Sequence, residues 1–209
     1  MHTPLTQLGD WPTHPVLGAA QLQALKAGSW LINASRGAVV DNQALKQRLM
    51  QAADIRAVLD VWEGEPLVDV ELAQHCDIAT AHIAGYSLDG KIRGTEHIYQ
   101  AFCQHFSLSD VAQVSFPEQT LLSVQLAAHT PVPEALRLLC RAVYDPRSDD
   151  AIFRLSLQGD AQQRRAGFDR VRKHYPVRRE IPDLQVQLSA PSAPLQQMLK
   201  ALGISEPVF

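Results

Sequence analysis

Residues 30–86 read WLINASRGAVVDNQALKQRLMQAADIRAVLDVWEGEPLVDVELAQHCDIATAHIAGY, and this stretch decides the fold. Three short apolar runs recur in it, each closing on polar residues: LIN before Ser35 and Arg36, AVLDV before Glu63 and Glu65, and DIATA before His82. Short apolar runs separated by helix-length polar segments read as buried strands of an α/β sheet. The carboxyl ends of parallel strands lie side by side in such a sheet. An arginine, a carboxylate and an imidazole at successive strand ends therefore converge on one crevice.

Trp30 to Ile32 is the first buried strand and Ile55 to Val61 the second, joined by a helix through Leu45 and Leu49 that Asp41 is placed to cap. Glu63 to Pro66 forms a loop, Val68 to Leu72 a turn of helix, and Cys76 to Ala81 the third strand. This alternation implies a parallel sheet with right-handed crossovers. Upstream, Ala19 to Leu25 reads as a short helix closed by Gly28. Downstream, Leu88, Ile92, Thr95, Tyr99, Phe102 and Phe106 recur every three or four residues. They form the stripe of a long helix that Ser87 starts, with core packing as its use.

The alternation then stops, and a boundary is expected between Phe106 and Pro117. Beyond it come a strand over Leu121 to Leu126, a helix over Pro133 to Val143 and an apolar segment over Ala151 to Leu155. A basic amphipathic helix over Gln162 to His174, an alternating strand over Leu184 to Leu188 and a helix from Pro194 to Leu202 stopped by Gly203 complete the chain. Without strict strand–helix alternation, this part reads as a small α+β module. The expected division is thus 1–87 as a partial Rossmann-type parallel sheet domain, 88–110 as a long inter-domain helix, and 111–209 as an α+β module.

Composition narrows the function classes. At 209 residues and 46% hydrophobic, the chain is long enough to bury a substantial core. Net charge is only -3, and no basic block precedes Arg164, so neither a nucleic acid nor a membrane partner is expected. No apolar run approaches the roughly 20 residues of a membrane span, and the default is a cytoplasmic protein. Cys76, Cys103 and Cys140 are odd in number and widely spaced, which suits free thiols. No second Cys or His pair with ligand spacing accompanies the His75–Cys76 neighbourhood, so no metal site is expected. His97, His105, His129 and His174, like His75, read as surface or satisfied core residues.

NASRG at Asn33 to Gly37, LDVWEGEP at Leu59 to Pro66 and AHIAGY ending at Tyr86 resemble, in order, the signature segments of the D-isomer-specific 2-hydroxyacid dehydrogenases. The segment GYSLDGKIRGTEHIYQAF and the C-terminal module resemble one phosphorylated-substrate member in particular. The resemblance implies NAD as cofactor, a small phosphorylated hydroxy acid as substrate and a homodimer formed through the C-terminal module. It implies His82 as the acid/base, Glu65 as the carboxylate that orients and stabilises its imidazolium, and Arg36 as the guanidinium that grips the substrate carboxylate. Between Glu63 and Glu65, the family's spacing of five from the strand-end Asp60 selects Glu65.

By the same carry-over, Thr3, Ala34, Ser35 and Arg36 line the nucleotide side. Asp60 meets the nicotinamide carboxamide, Gly85 lets the backbone approach the ring, and Tyr86 contacts substrate. Lys91 and Arg93 have two readings, attraction of a substrate phosphate or ordinary solvated charges on a helix. The chain departs from the family in lacking the G-x-G-x-x-G fingerprint and its acidic partner. It therefore looks like the C-terminal portion of a longer enzyme, with weakened NAD affinity and little activity by itself. Two alternatives stay open: another family substrate such as 3-phosphoglycerate, and a non-catalytic fragment that only associates.

Overall fold

Strand ends and their loops are ordered as the apolar runs demand. The computed structural model describes residues 1–108 and 123–204. They form two compact α/β units, one of residues 1–84 with 146–175 and one drawn from residues 85–108, 123–145 and 176–204.

In the first unit, β1 (Trp30–Asn33), β2 (Arg56–Leu59) and β3 (Ile78–Ala79) make a parallel sheet in that order, with Ile32 opposite Val58 and Val58 opposite Ile78. β2 and β3 are shorter than their apolar runs, whereas β1 runs one residue past Ile32. Ile55, Val61 and Ala81 are buried, but the chain beyond each ladder bends into the loops that carry the polar residues. β1 is half-buried: Leu31 and Asn33 face inward, while Trp30 and Ile32 are more than half exposed. Strand side chains alternate between faces, and only one face of β1 is covered.

The helices of this unit follow local capping. α1 (Ala19–Gln23) is short and buries Leu22. α2 (Asn42–Ala52) starts where the Asp41 carboxylate accepts the N–H of Ala44, and it buries Leu45 and Leu49. α3 (Val70–His75) starts at Asp69, whose carboxylate accepts from the N–H groups of Glu71 and Leu72. Lys46 of α2 reaches the same Asp69 at 2.7 Å and ties the two helices together.

Segment 146–175 differs from the expected division, which put it in the C-terminal module. Its apolar run is a helix, α6 (Pro146–Ser156), followed by α7 (Ala161–Lys173). Phe153 and Phe168 are fully buried in the same core as Leu45, Leu59, Trp62 and Leu72. α6 also satisfies the outer margin of the sheet. Asp150 accepts the N–H of Ala79 at 2.7 Å, and Arg154 donates to the carbonyls of Ala73 and Cys76 at 2.6 and 2.9 Å. An edge strand otherwise leaves such groups open. α7 crosses α6 closely because Gly167 has no side chain to meet the Ser156 carbonyl.

In the second unit, β4 (Ser123–Leu126) and β5 (Gln185–Leu188) pair in parallel, with Val124 opposite Val186. α5 (Val132–Val143) and α8 (Ala193–Ala201) contribute Leu139, Leu195 and Leu199 to a core with Leu126, Val186 and Leu188. Proline sits in the first turn of both helices. Leu126 therefore belongs to this unit's own core. Leu121 lies outside the described residues, as does most of the stretch between Phe106 and Pro117 where the boundary is expected.

The long helix α4 (Leu88–His105) begins at Ser87, whose hydroxyl accepts the N–H of Gly90. Its stripe is not core: Phe102 is 52% and Phe106 58% exposed. Asp89 and Cys103 are its buried residues. The Arg179 guanidinium grips Asp89 through Nε and Nη2, the shortest contact being 2.8 Å. Among the described residues, no helix is long and apolar enough to cross a membrane.

Candidate active site

The loop after β1 is built around buried Asn33. Its side-chain oxygen accepts from the N–H and hydroxyl of Ser35, and its amide donates to the carbonyl of Arg36. A short polar side chain bonding the backbone two residues on is the usual way such a turn is fixed. Arg36 then projects at the mouth of the turn, with one Nη donating to the Ser35 carbonyl at 2.7 Å.

The loop after β2 packs directly on that turn. Gly37 lies against the backbone of Trp62 and Glu63 so closely that a Cβ would collide with the Trp62 carbonyl. Asn42 cross-links the two loops: its side-chain oxygen accepts the N–H of Glu63 at 3.1 Å, and its own N–H donates to the Glu63 carboxylate at 3.2 Å. The Glu65 carboxylate is held at both oxygens. Oε1 accepts the N–H of Trp62 at 2.7 Å, and Oε2 lies 2.8 Å from His82 Nδ1.

The third loop brings His82 in a left-handed conformation, φ 56°, uncommon for a residue with a side chain. Asp60 fixes it. This buried carboxylate accepts from the Thr80 hydroxyl at 2.7 Å and from the N–H groups of Ile83 and Ala84 at 2.7 and 2.9 Å, while its carbonyl accepts the His82 N–H. Asp60, expected to meet a nicotinamide carboxamide, thus has its carboxylate occupied within the chain.

Arg36, Glu65 and His82 line one cavity of about 410 Å³, together with Leu5, His14 and Trp62. With Glu65 accepting from Nδ1, the Nε2 of His82 is left as the atom that takes or returns a proton. The site can thus move one proton and hold one anion beside it. His14 was not singled out from the sequence, and a histidine in a proline-rich loop carries no pattern that would single it out. Trp62 was legible only as an apolar residue.

Of the remaining expected residues, Ser35 is buried with its hydroxyl turned to Asn33, and Ala34 is half-buried with its N–H on the Met1 carbonyl at 3.4 Å. The Thr3 hydroxyl oxygen is buried with no hydrogen-bond partner in the described structure. An orphaned buried hydroxyl is costly and fits a polar ligand group that completes it. Gly85 and Tyr86 begin the second unit, where Lys91 Nζ lies 4.3 Å from the Tyr86 ring centroid. Arg93 pairs with Glu180 at 2.8 Å and is not simply a solvated charge. Among the described residues, no cluster of three or more His, Cys, Asp or Glu has metal-holding geometry.

Comparison with known proteins fits this geometry. Residues 1–84 match the family described as D-isomer specific 2-hydroxyacid dehydrogenase, NAD binding domain, and residues 116–203 match a domain of unknown function, DUF3410. An erythronate-4-phosphate dehydrogenase of Azotobacter vinelandii is 55% identical over all of this chain and 55% of the relative. Enzymes of the same name from Pseudomonas putida and Pseudomonas aeruginosa are 54% and 55% identical over 97% of this chain and 54% of their own length. The chain spans about half the length of the curated relatives it matches.

Proposed function

We propose that this chain, whose residues 1–84 match the family described as D-isomer specific 2-hydroxyacid dehydrogenase, NAD binding domain, carries the acid–base half of an NAD-dependent dehydrogenase acting on 4-phospho-D-erythronate. The reaction yields 2-oxo-3-hydroxy-4-phosphobutanoate, as a step toward pyridoxal 5'-phosphate in the cytoplasm. The substrate follows from the name carried by relatives that are 53–55% identical. The observation that supports the chemistry is the 2.8 Å contact of Glu65 with His82 on the cavity that Arg36 also lines.

In this reading His82 Nε2 takes the proton of the C2 hydroxyl as the C2–H bond breaks. Glu65 holds the Nδ1 proton and stabilises the imidazolium that forms. Arg36 binds the substrate carboxylate with the planar fork of its guanidinium and keeps C2 oriented. NAD, when bound, supplies the hydride acceptor, with Thr3, Ala34, Ser35 and Gly85 on its side of the site. Tyr86 meets the substrate, and the chain pairs with a second copy through its C-terminal module.

The test is NADH formation with 4-phospho-D-erythronate and with 3-phosphoglycerate, for the wild type and for His82→Asn and Glu65→Gln. Slow turnover of the four-carbon substrate, falling below detection in both variants, is expected. Turnover that survives His82→Asn overturns the residue roles, and preference for 3-phosphoglycerate overturns the substrate. Sedimentation of the whole chain tests the pairing, with a monomer counting against it.

A further inference from the structure

Trp62 touches every arm of the candidate site, yet it carries no proton and no charge. Its backbone lies against Gly37, directly after Arg36. Its N–H holds Glu65 Oε1 at 2.7 Å. Its indole Nε1–H donates to the carbonyl of Thr80 at 2.9 Å, two residues before His82. The residue as a whole is 3% exposed.

What keeps that ring in place comes from far along the chain. Phe153 of α6, fully buried, packs on Trp62 with centroids 5.6 Å apart, and Phe168 of α7 meets Phe153 edge-on at 6.0 Å. Arg154, the next residue, is fastened to the carbonyls of Ala73 and Cys76, and Asp150 to the N–H of Ala79. The position of Phe153 is therefore set by α6 docked on β3 and not by loose apolar contact. Rigid packing transmits small displacements, because core voids are not refilled freely.

We infer that Trp62 is the positioning residue of the Glu65–His82 pair and that the α6–α7 hairpin, through Phe153, holds it there. The segment that lies within the DUF3410 match is then part of the catalytic apparatus of the sheet unit. The inference rests on the reading of Glu65 and His82 as an acid–base pair. A buttress of this kind moves neither charge nor substrate. Its loss lets the indole rock, which frees the Glu65 carboxylate to rotate and lengthens its bond to Nδ1.

The experiment reads that bond directly. Proton NMR of the whole chain in water is followed for the hydrogen-bonded imidazole N–H of His82, identified by its absence in His82→Asn. Trp62→Phe keeps a ring but removes the indole donor, and Phe153→Ala keeps the donor but removes the buttress; both are expected to lose the resonance. Leu49→Ala, an excision on α2 in the same core but outside the cavity lining, is expected to retain it. If Phe153→Ala does not fold, Phe153→Leu serves in its place, with a weakened and shifted resonance expected.

An unshifted resonance in folded Trp62→Phe and Phe153→Leu overturns the inference. So does its loss in Leu49→Ala, since any weakening of the core would then suffice. The signal needs no substrate, so failure of the dehydrogenase assay leaves this test intact. A wild type without the resonance overturns the pairing itself.

Discussion

Glu63 and Glu65 stand two positions apart on one loop and hold different partners: Glu63 receives the N–H of Asn42, and Glu65 receives the N–H of Trp62 and meets Nδ1 of His82. One carboxylate fastens the start of α2, the other faces the imidazole. Their amide substitutions are therefore expected to separate cleanly. Glu65→Gln lowers kcat by about 10²–10⁴, the usual weight of acid–base assistance, whereas Glu63→Gln leaves kcat near wild type and lowers only the melting temperature. Steady-state kinetics beside thermal melts checks both.

Gly37 is required by contact and not by an unusual backbone angle. Any Cβ there meets the Trp62 carbonyl, so Gly37→Ala forces the loops after β1 and β2 apart. Overpacking of this kind costs about 1–3 kcal/mol. Denaturant unfolding is expected to show that loss, with activity falling further than stability because Arg36 moves with the turn.

Asp60 shows its weight when removed. Asp60→Ala strands the Thr80 hydroxyl and the N–H groups of Ile83 and Ala84, and each unsatisfied donor costs about 1–3 kcal/mol. At roughly 2–4 °C per kcal/mol for a chain of this size, a melting drop of at least about 6 °C is expected by calorimetry. Asp60→Asn, which keeps the shape but presents an amide to N–H donors, is expected to fall between that variant and the wild type.

Asp89 gives the second unit a pH dependence of known sign. Burial opposes its ionisation, but hydrogen bonds and charge from Arg179, with the N–H of Glu180, outweigh burial and hold the carboxyl below its ordinary value. A carboxyl depressed in the folded state stabilises at pH above its unfolded value, about 3.9. That contribution is lost as pH falls through the folded value. Thermal melts from pH 7 down to pH 2 are expected to show a steeper acid loss in the wild type than in Asp89→Asn, whose stability is lower at neutral pH and flatter below it.

The three thiols differ in reach. Cys76 is buried, and burial pushes its pKa up to about 12. It has almost no thiolate at neutral pH, and the thiolate is the reactive form. Cys103 is buried and Cys140 only half-buried. Alkylation of the folded protein at pH 8 is expected to label Cys140 first and leave Cys76 unmodified until unfolding, as peptide mass mapping would show.

The sequence made the sheet unit legible wherever a local rule operates. Asp41 capping α2, Ser87 starting α4, and the three apolar runs as parallel strands all follow from neighbours within a few positions. The grouping of Arg36, Glu65 and His82 on one cavity follows from strand ends lying together. Long-range relations were not legible. Nothing near Phe153 says that it packs on Trp62, nor that Asp150 completes β3, and the stripe on α4 looked like core although Phe102 and Phe106 are largely exposed. Periodicity reports that a face is apolar, but not whether anything covers it.

The bond from Asp150 to Ala79 has a consequence for recombination. The sheet unit is not a contiguous cassette: a chimera that transplants residues 1–84 alone would leave behind the carboxylate that seals its last strand and the phenyl ring that fills its floor. Grafting between relatives must carry residues 146–175 along with the front half or inherit a ragged margin open to strand addition. Exchange of genetic segments at the junction after Ala84 is thereby disfavoured, and the two stretches are bound to change together.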